Sequence, residues 1–409
     1  MLRLRVSLHH LKPPPVLFLR FVATATLALV AFAAVAQAPA PSLSARSWLL
    51  VDSASGATLA SHQAKLRVEP ASLVKLMTAY VVFVALGEKR IALDDPVQVS
   101  RAAFAVAGRD GARMFIEPGR PVTVRELLRG MIVASGNDAA VALAEHASGT
   151  QAAFVGRMNA EALRLGLTDT RFANPTGLSD PQQYTTATDL VRLAQRLRTD
   201  FPQFIALFGE REYSYGGITQ NNRNRLLWSD PAVDGMKTGH VEAAGWSIVA
   251  TAARPRGQGD SAFERRLVAV VLGAPTDAVR TQDTLRLLNY GYTEYDTLWL
   301  YRAGAVLARP EVWKGDRTEI PIGPERDVYV TLPAHEVQGL GERKLATRIE
   351  RPDPLLAPIA KGEMVGRLLV SLGGQTLADA PVVAFEAAQP AGLVGRAYDA
   401  VRLWWRRRN

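Results

Sequence analysis

The chain has 409 residues, 48% of them hydrophobic and 21% charged, a balance that suits a folded protein of two or three domains. It has no cysteine, which excludes disulfides, a thiolate nucleophile and a thiolate metal site. The formal net charge of +9 divides into +4 in residues 1–36, +4 in residues 391–409 and +1 between them. The body is therefore near neutral, and the net charge, carried mostly by the two ends, gives no argument that the body binds nucleic acid.

Residues 1–36 read as a secretory signal. Arg3, Arg5, Lys12 and Arg20 form a basic, acid-free start, residues 21–36 are apolar, and Ala34-Val35-Ala36 precedes Gln37 as a cleavage site. The apolar run is short for a membrane span. Residues 47–51 and 58–61 flank Ser55-Gly56 and predict a β-hairpin. Residues 72–86 are apolar and helix-compatible behind Pro70. Val124, Leu127, Leu128 and Met131 have helical spacing, and Ser135-Gly136-Asn137 is a turn before a second helix over 138–147. Further helices are expected at 152–165 and 188–197, buried strands at 246–252 and 267–272, and a helix at 277–288. The fold class is α+β, with helices packed on an antiparallel sheet over residues 37–292.

From residue 293 to 388, short strand-like runs such as 328–332 and 367–372 alternate with Gly and Pro turns, which predicts a small β-rich domain. In residues 389–409 an amphipathic helix is expected. Val394, Ala397, Tyr398, Val401, Trp404 and Trp405 form one face and Arg396, Asp399, Arg402 and Arg406 the other. Either the helix docks on its own domain or it binds an anionic membrane surface; its exposed arginines and Trp pair favour the membrane.

Three short motifs carry chemistry in this order: Ser72-Leu73-Val74-Lys75, Ser135-Gly136-Asn137 and Lys237-Thr238-Gly239. Serine is a weak nucleophile until a base takes its proton. On a helix, Lys75 lies about 60° round and roughly 4.5 Å along from Ser72, so its amine reaches the hydroxyl. It must be neutral to act, and burial, a second cation at Lys237 and the positive helix end all favour that state. Ser135 is placed to pass a proton to a leaving nitrogen, and the Asn137 amide to hold a substrate carbonyl. Lys237 and Thr238 offer a cation and a hydroxyl to an anionic group, and Gly239 allows a substrate backbone to approach. The backbone amides of Ser72 and His240 are the natural oxyanion donors. The six histidines include no metal-ligand spacing and no H-E-x-x-H, so neither a zinc hydrolase nor a Ser-His-Asp triad is expected, and His240 shapes the cleft. No metal or cofactor is implied.

These motifs and their flanks resemble the low-molecular-weight penicillin-binding proteins, the serine D-alanyl-D-alanine carboxypeptidases of peptidase family S11. The resemblance rests on residues 69–78, 135–139, 222–224, 226–228 and 233–240, and it extends through the β-rich domain and terminal helix. It implies a penicillin-recognising catalytic domain on a β-rich stalk. It also implies removal of the terminal D-alanine from peptidoglycan pentapeptides through an acyl-enzyme on Ser72, acylation by β-lactam antibiotics, and a periplasmic site at the outer face of the inner membrane. By the same resemblance, Arg280 helps bind the substrate's terminal carboxylate. A D,D-endopeptidase or a β-lactamase would use the same serine. A class A β-lactamase needs a deacylating glutamate in an E-x-x-L-N setting, which Glu161, Glu210 and Glu212 lack.

Overall fold

The computed structural model describes residues 39–106, 111–340 and 345–406. The expected export signal lies outside them.

The N-terminal half of the described residues is built on a five-stranded antiparallel sheet. A hairpin opens it, β1 (Ser47–Asp52) and β2 (Thr58–His62), as the turn at Ser55-Gly56 requires. The longer helices that follow are α1 (Val74–Gly87), α2 (Val124–Ile132), α3 (Asn137–Ser148), α4 (Gln151–Arg164) and α5 (Ala187–Asp200). Then β3 (Val233–Val241), β4 (Gly245–Arg256) and β5 (Phe263–Ala274) complete the sheet in the order β2-β1-β5-β4-β3, and α6 (Asp277–Glu294) closes the unit.

Both faces of this sheet are covered. In β5, Val268, Val270 and Leu272 join the core beneath α1–α5, while Leu267, Ala269 and Val271 join a second core with Leu287 and Leu288 of α6. That is why these strands read as continuous apolar runs rather than as an alternating pattern. The first ten residues of α1, Val74 to Phe83, are all buried. A helix hidden all round belongs at the centre of a domain, so the lysine it carries at position 75 must be held by polar partners.

The β-rich half contains β6 (Tyr295–Tyr301), β7 (Ile322–Pro324), β8 (Val328–Pro333), β9 (Ala346–Glu350), β10 (Met364–Leu372) and β11 (Gln375–Ala384). β6 pairs with β8, and a four-stranded sheet runs β7-β11-β10-β9. A buried polar knot joins the two halves. Arg265 lies 3.0 Å from Asp52 and donates to the carbonyls of Tyr295 and Gly291, while Thr297 donates to Asp52 at 2.7 Å.

The terminal helix α7 (Leu393–Arg406) does dock on the β-rich half, and through its polar face. Asp399 accepts the Lys314 amide at 2.6 Å, Arg402 sits 4.7 Å over the Trp313 ring, and Arg406 lies 2.9 Å from Asp353. Arg402 and Arg406, expected to face an anionic surface, are thus turned onto their own domain, because Trp313 and nearby carboxylates give them partners there. The apolar row is left outward, with Val394 84% and Trp405 65% exposed.

Candidate active site

Ser72 sits in a 3-10 turn, Ala71–Leu73, that runs directly into α1. The turn shifts the start of the regular helix to Val74, yet Lys75 still falls one turn on, and its Nζ lies 3.0 Å from Ser72 Oγ. Lys75 is 1% exposed. Its Nζ also lies 2.7 Å from Asn137 Oδ1 and 2.5 Å from the Thr176 carbonyl. Neither of those oxygens can donate. A neutral amine at this point therefore gives its two hydrogens to them and turns its lone pair toward the Ser72 hydroxyl.

The loop between α2 and α3 brings Ser135 to the same place. Ser135 has φ +62, a left-handed conformation that costs a non-glycine residue of order 1–3 kcal/mol. Its surroundings hold it there: Gly136 N donates to Gly130 O at 3.1 Å and Asn137 N to Ala112 O at 2.8 Å. Asn137 is the first residue of α3 and does not cap it; Gly136 holds that position. Asn137 Oδ1 is engaged by Lys75.

Lys237, Thr238, Gly239 and His240 lie on the edge strand β3. Lys237 Nζ is 2.9 Å from Ser135 Oγ and 3.0 Å from the Thr238 carbonyl. Burial pushes the Lys237 amine well below the usual lysine range, and Lys75 when protonated, Arg223 and Arg280 push it the same way. The role expected of Gly239 changes. A methyl there would come within 3.0 Å of Pro70 O and 3.2 Å of Ser72 N, so a larger residue would crowd the protein's own turn, whatever a substrate needs. This close approach sets the Ser72 amide against the segment that carries His240. The His240 ring stacks on Trp246, with centroids 4.0 Å apart.

Arg280, in the first turn of α6, is 2% exposed and contacts Asp277, and its guanidinium lies 5.6 Å from the Trp246 ring centre. Burial lowers its pKa to about 10. A cleft of about 870 Å³ is lined by Ser72, Ser135, Asn137, Thr238, His240 and Arg280, among others. Lys75 and Lys237 lie buried beneath it. The structure thus gathers all nine sequence-predicted residues in or under one cleft. Among the described residues no group of three or more His, Asp or Glu side chains could hold a metal ion.

A model of the family described as D-alanyl-D-alanine carboxypeptidase matches residues 33–276, and one described as penicillin-binding protein 5, C-terminal domain, matches residues 295–389. The chain belongs to the D-alanyl-D-alanine carboxypeptidase family. It is 40% identical over 377 residues to D-alanyl-D-alanine carboxypeptidase DacC of Escherichia coli, covering 91% of each chain. Penicillin-binding protein 5 from Haemophilus influenzae superposes with a TM-score of 0.78 at 35% identity, over 86% of this chain and 99% of that one. Penicillin-binding protein D2 from Listeria monocytogenes, solved in a cefotaxime-bound form, gives 0.56 at 28% identity, over 62% of this chain and all of that one.

Several supporting residues escaped the sequence reading. Asp138, fully buried, accepts the amides of Met114 at 2.8 Å and Phe115 at 2.9 Å and so fixes the segment behind Ser135. Asn174 Oδ1 accepts from Thr176 N and Gly177 N, a turn that aims the Thr176 carbonyl at Lys75. The Asn-Pro and Thr-Gly pairs mark a turn here, but nothing local says that it reaches the nucleophile.

Proposed function

We infer that this protein is a serine D-alanyl-D-alanine carboxypeptidase, which removes the terminal D-alanine from peptidoglycan pentapeptide stems and is acylated by penicillins. The observation that carries the reading is the 3.0 Å approach of Lys75 Nζ to Ser72 Oγ, with two acceptors set to take the hydrogens of a neutral amine.

Lys75 takes the Ser72 proton as Oγ bonds to the carbonyl carbon of the penultimate D-alanine. The backbone N–H groups of Ser72 and His240 stabilise the oxyanion. As the carbon–nitrogen bond breaks, the Ser135 hydroxyl relays the proton to the leaving amine. Water then hydrolyses the ester and frees Ser72. The Asn137 amide and β3 align the peptide, while Lys237, Thr238 and Arg280 receive its terminal carboxylate. A β-lactam presents the same carbonyl and carboxylate, and ring opening leaves its acyl group on Ser72.

The same reading places the protein in the periplasm, exported by residues 1–36 and held at the outer face of the inner membrane by α7. Support comes from the outward apolar row of α7; no described helix is long and apolar enough to cross a membrane. Purified protein should release D-alanine from a pentapeptide, and Ser72→Ala should not. Release by the variant, or release only from cross-linked peptides, would reject the assignment.

A further inference from the structure

One wall of the cleft carries Arg223, Arg225 and Arg280, with Lys237 beneath them. The carboxylates lining the cleft are Glu242 and Asp277. Asp277 touches two of the arginines. Its Oδ1 sits against Arg280 Nη2 as an ion pair that makes no hydrogen bond, and its other oxygen lies 3.1 Å from Arg225 Nε. Arg225 is a surface side chain, 70% exposed, whereas Arg280 is 2% exposed.

Arg280 is only half used. Its Nη2 also approaches the Arg223 carbonyl at 3.4 Å, but its buried Nε has no hydrogen-bond partner. A buried guanidinium with an idle donor in a cleft wall is set to receive an anion. Helix capping does not explain Asp277. Thr276 is the cap, its Oγ1 accepting from Val279 N at 3.1 Å, and an acid in the first turn needs no arginine contacts to favour the helix dipole.

We propose that Asp277 is a specificity-determining residue, a built-in carboxylate that pairs with Arg280 and competes for it with the terminal carboxylate of the substrate. The proposal rests on Arg280 as the carboxylate receptor of the reading above. Its consequence is graded affinity. Substrate and released D-alanine both carry the carboxylate, and both are held less tightly than Arg280 alone would hold them. Such competition acts on ground-state binding and therefore appears in KM rather than kcat.

The test compares two acylated D-alanyl-D-alanine substrates, one ending in a free carboxylate and one in an amide, with wild type, Asp277→Asn and Asp277→Ser. Asparagine keeps the shape of Asp277 and serine keeps a polar first turn, so agreement between them separates charge from fold. Both variants should lower KM for the acid roughly three- to fivefold, about the upper end of what an exposed ion pair contributes, since Arg280 is buried and Asp277 only partly exposed. KM for the amide should not follow. An acid KM that stays the same or rises, or acid and amide values that move together, would overturn the proposal. A wild type that treats acid and amide alike would remove the receptor role of Arg280 and the proposal with it. A wild type that prefers the acid, beside unshifted variants, would remove the Asp277 proposal alone.

Discussion

Gly239→Ala should damage both catalysis and stability. A methyl at this position would lie 3.0 Å from Pro70 O, 3.2 Å from Ala71 Cβ and 3.2 Å from Ser72 N. Comfortable contacts lie at about 3.5–4.0 Å, so β3 and the 3-10 turn must part by several tenths of an ångström. Such overpacking costs roughly 1–3 kcal/mol, and here the movement separates Ser72 from the His240 amide. A 1 Å misplacement costs about a hundredfold in rate; scaled to the displacement, acylation should slow roughly tenfold. The rate of labelling by a fluorescent penicillin, read beside a melting curve, measures both effects. Gly177→Ala is the comparison: its methyl would fall 1.9 Å from Ala71 O at φ +84, so this variant should fail to fold stably. Wild-type acylation by Gly239→Ala, or a well-folded Gly177→Ala, would refute the account of how Ser72 is set.

Lys237→Met should abolish activity yet raise the melting temperature at pH 7. The unfolded chain keeps this proton up to about pH 10.4, whereas the folded pKa is depressed, first by burial and then by Lys75, Arg223 and Arg280. The destabilisation is therefore full below the folded value and fades as pH rises toward the unfolded one. The gain, roughly 2–4 °C per kcal/mol recovered, should shrink toward pH 10; a lower melting temperature at pH 7 would count against it. Asp52→Ala leaves Arg265 buried without its carboxylate and should cost about 3–5 kcal/mol in urea unfolding, a loss below 1 kcal/mol being inconsistent with the knot described. Replacing Trp404 and Trp405 with alanine should release the protein from anionic vesicles in a sedimentation assay, and undiminished binding would reject α7 as the anchor.

The candidate catalytic residues were legible because three motifs occur in order. Serine and lysine one turn apart suit a nucleophile and its base, but only the two later motifs lift that pair above an ordinary helix face. Ser135 and Lys237 joined them through motif order and resemblance, and the structure puts the second lysine 2.9 Å from the second serine. The helices and strands were legible where apolar spacing was strong, as in α2, or unbroken, as in β5. What stayed hidden depends on contacts between distant segments. Asp138 looks like an ordinary first-turn acid until the amides of Met114 and Phe115 arrive from 24 and 23 residues away. Gly239 looks like a concession to substrate until Pro70 is seen against it. The faces of α7 were legible, but their direction was not, because Trp313 and Asp353 decide which face turns inward.

The central claim is that Lys75 activates Ser72. It is tested most directly by incubating the protein with benzylpenicillin and locating the adduct by intact mass and peptide mapping, in wild type and in Lys75→Met. Wild type should gain one penicillin on the peptide that contains Ser72, while folded Lys75→Met should gain none over the same interval. Acylation of Lys75→Met at the wild-type rate, or an adduct on any other residue, would contradict the account.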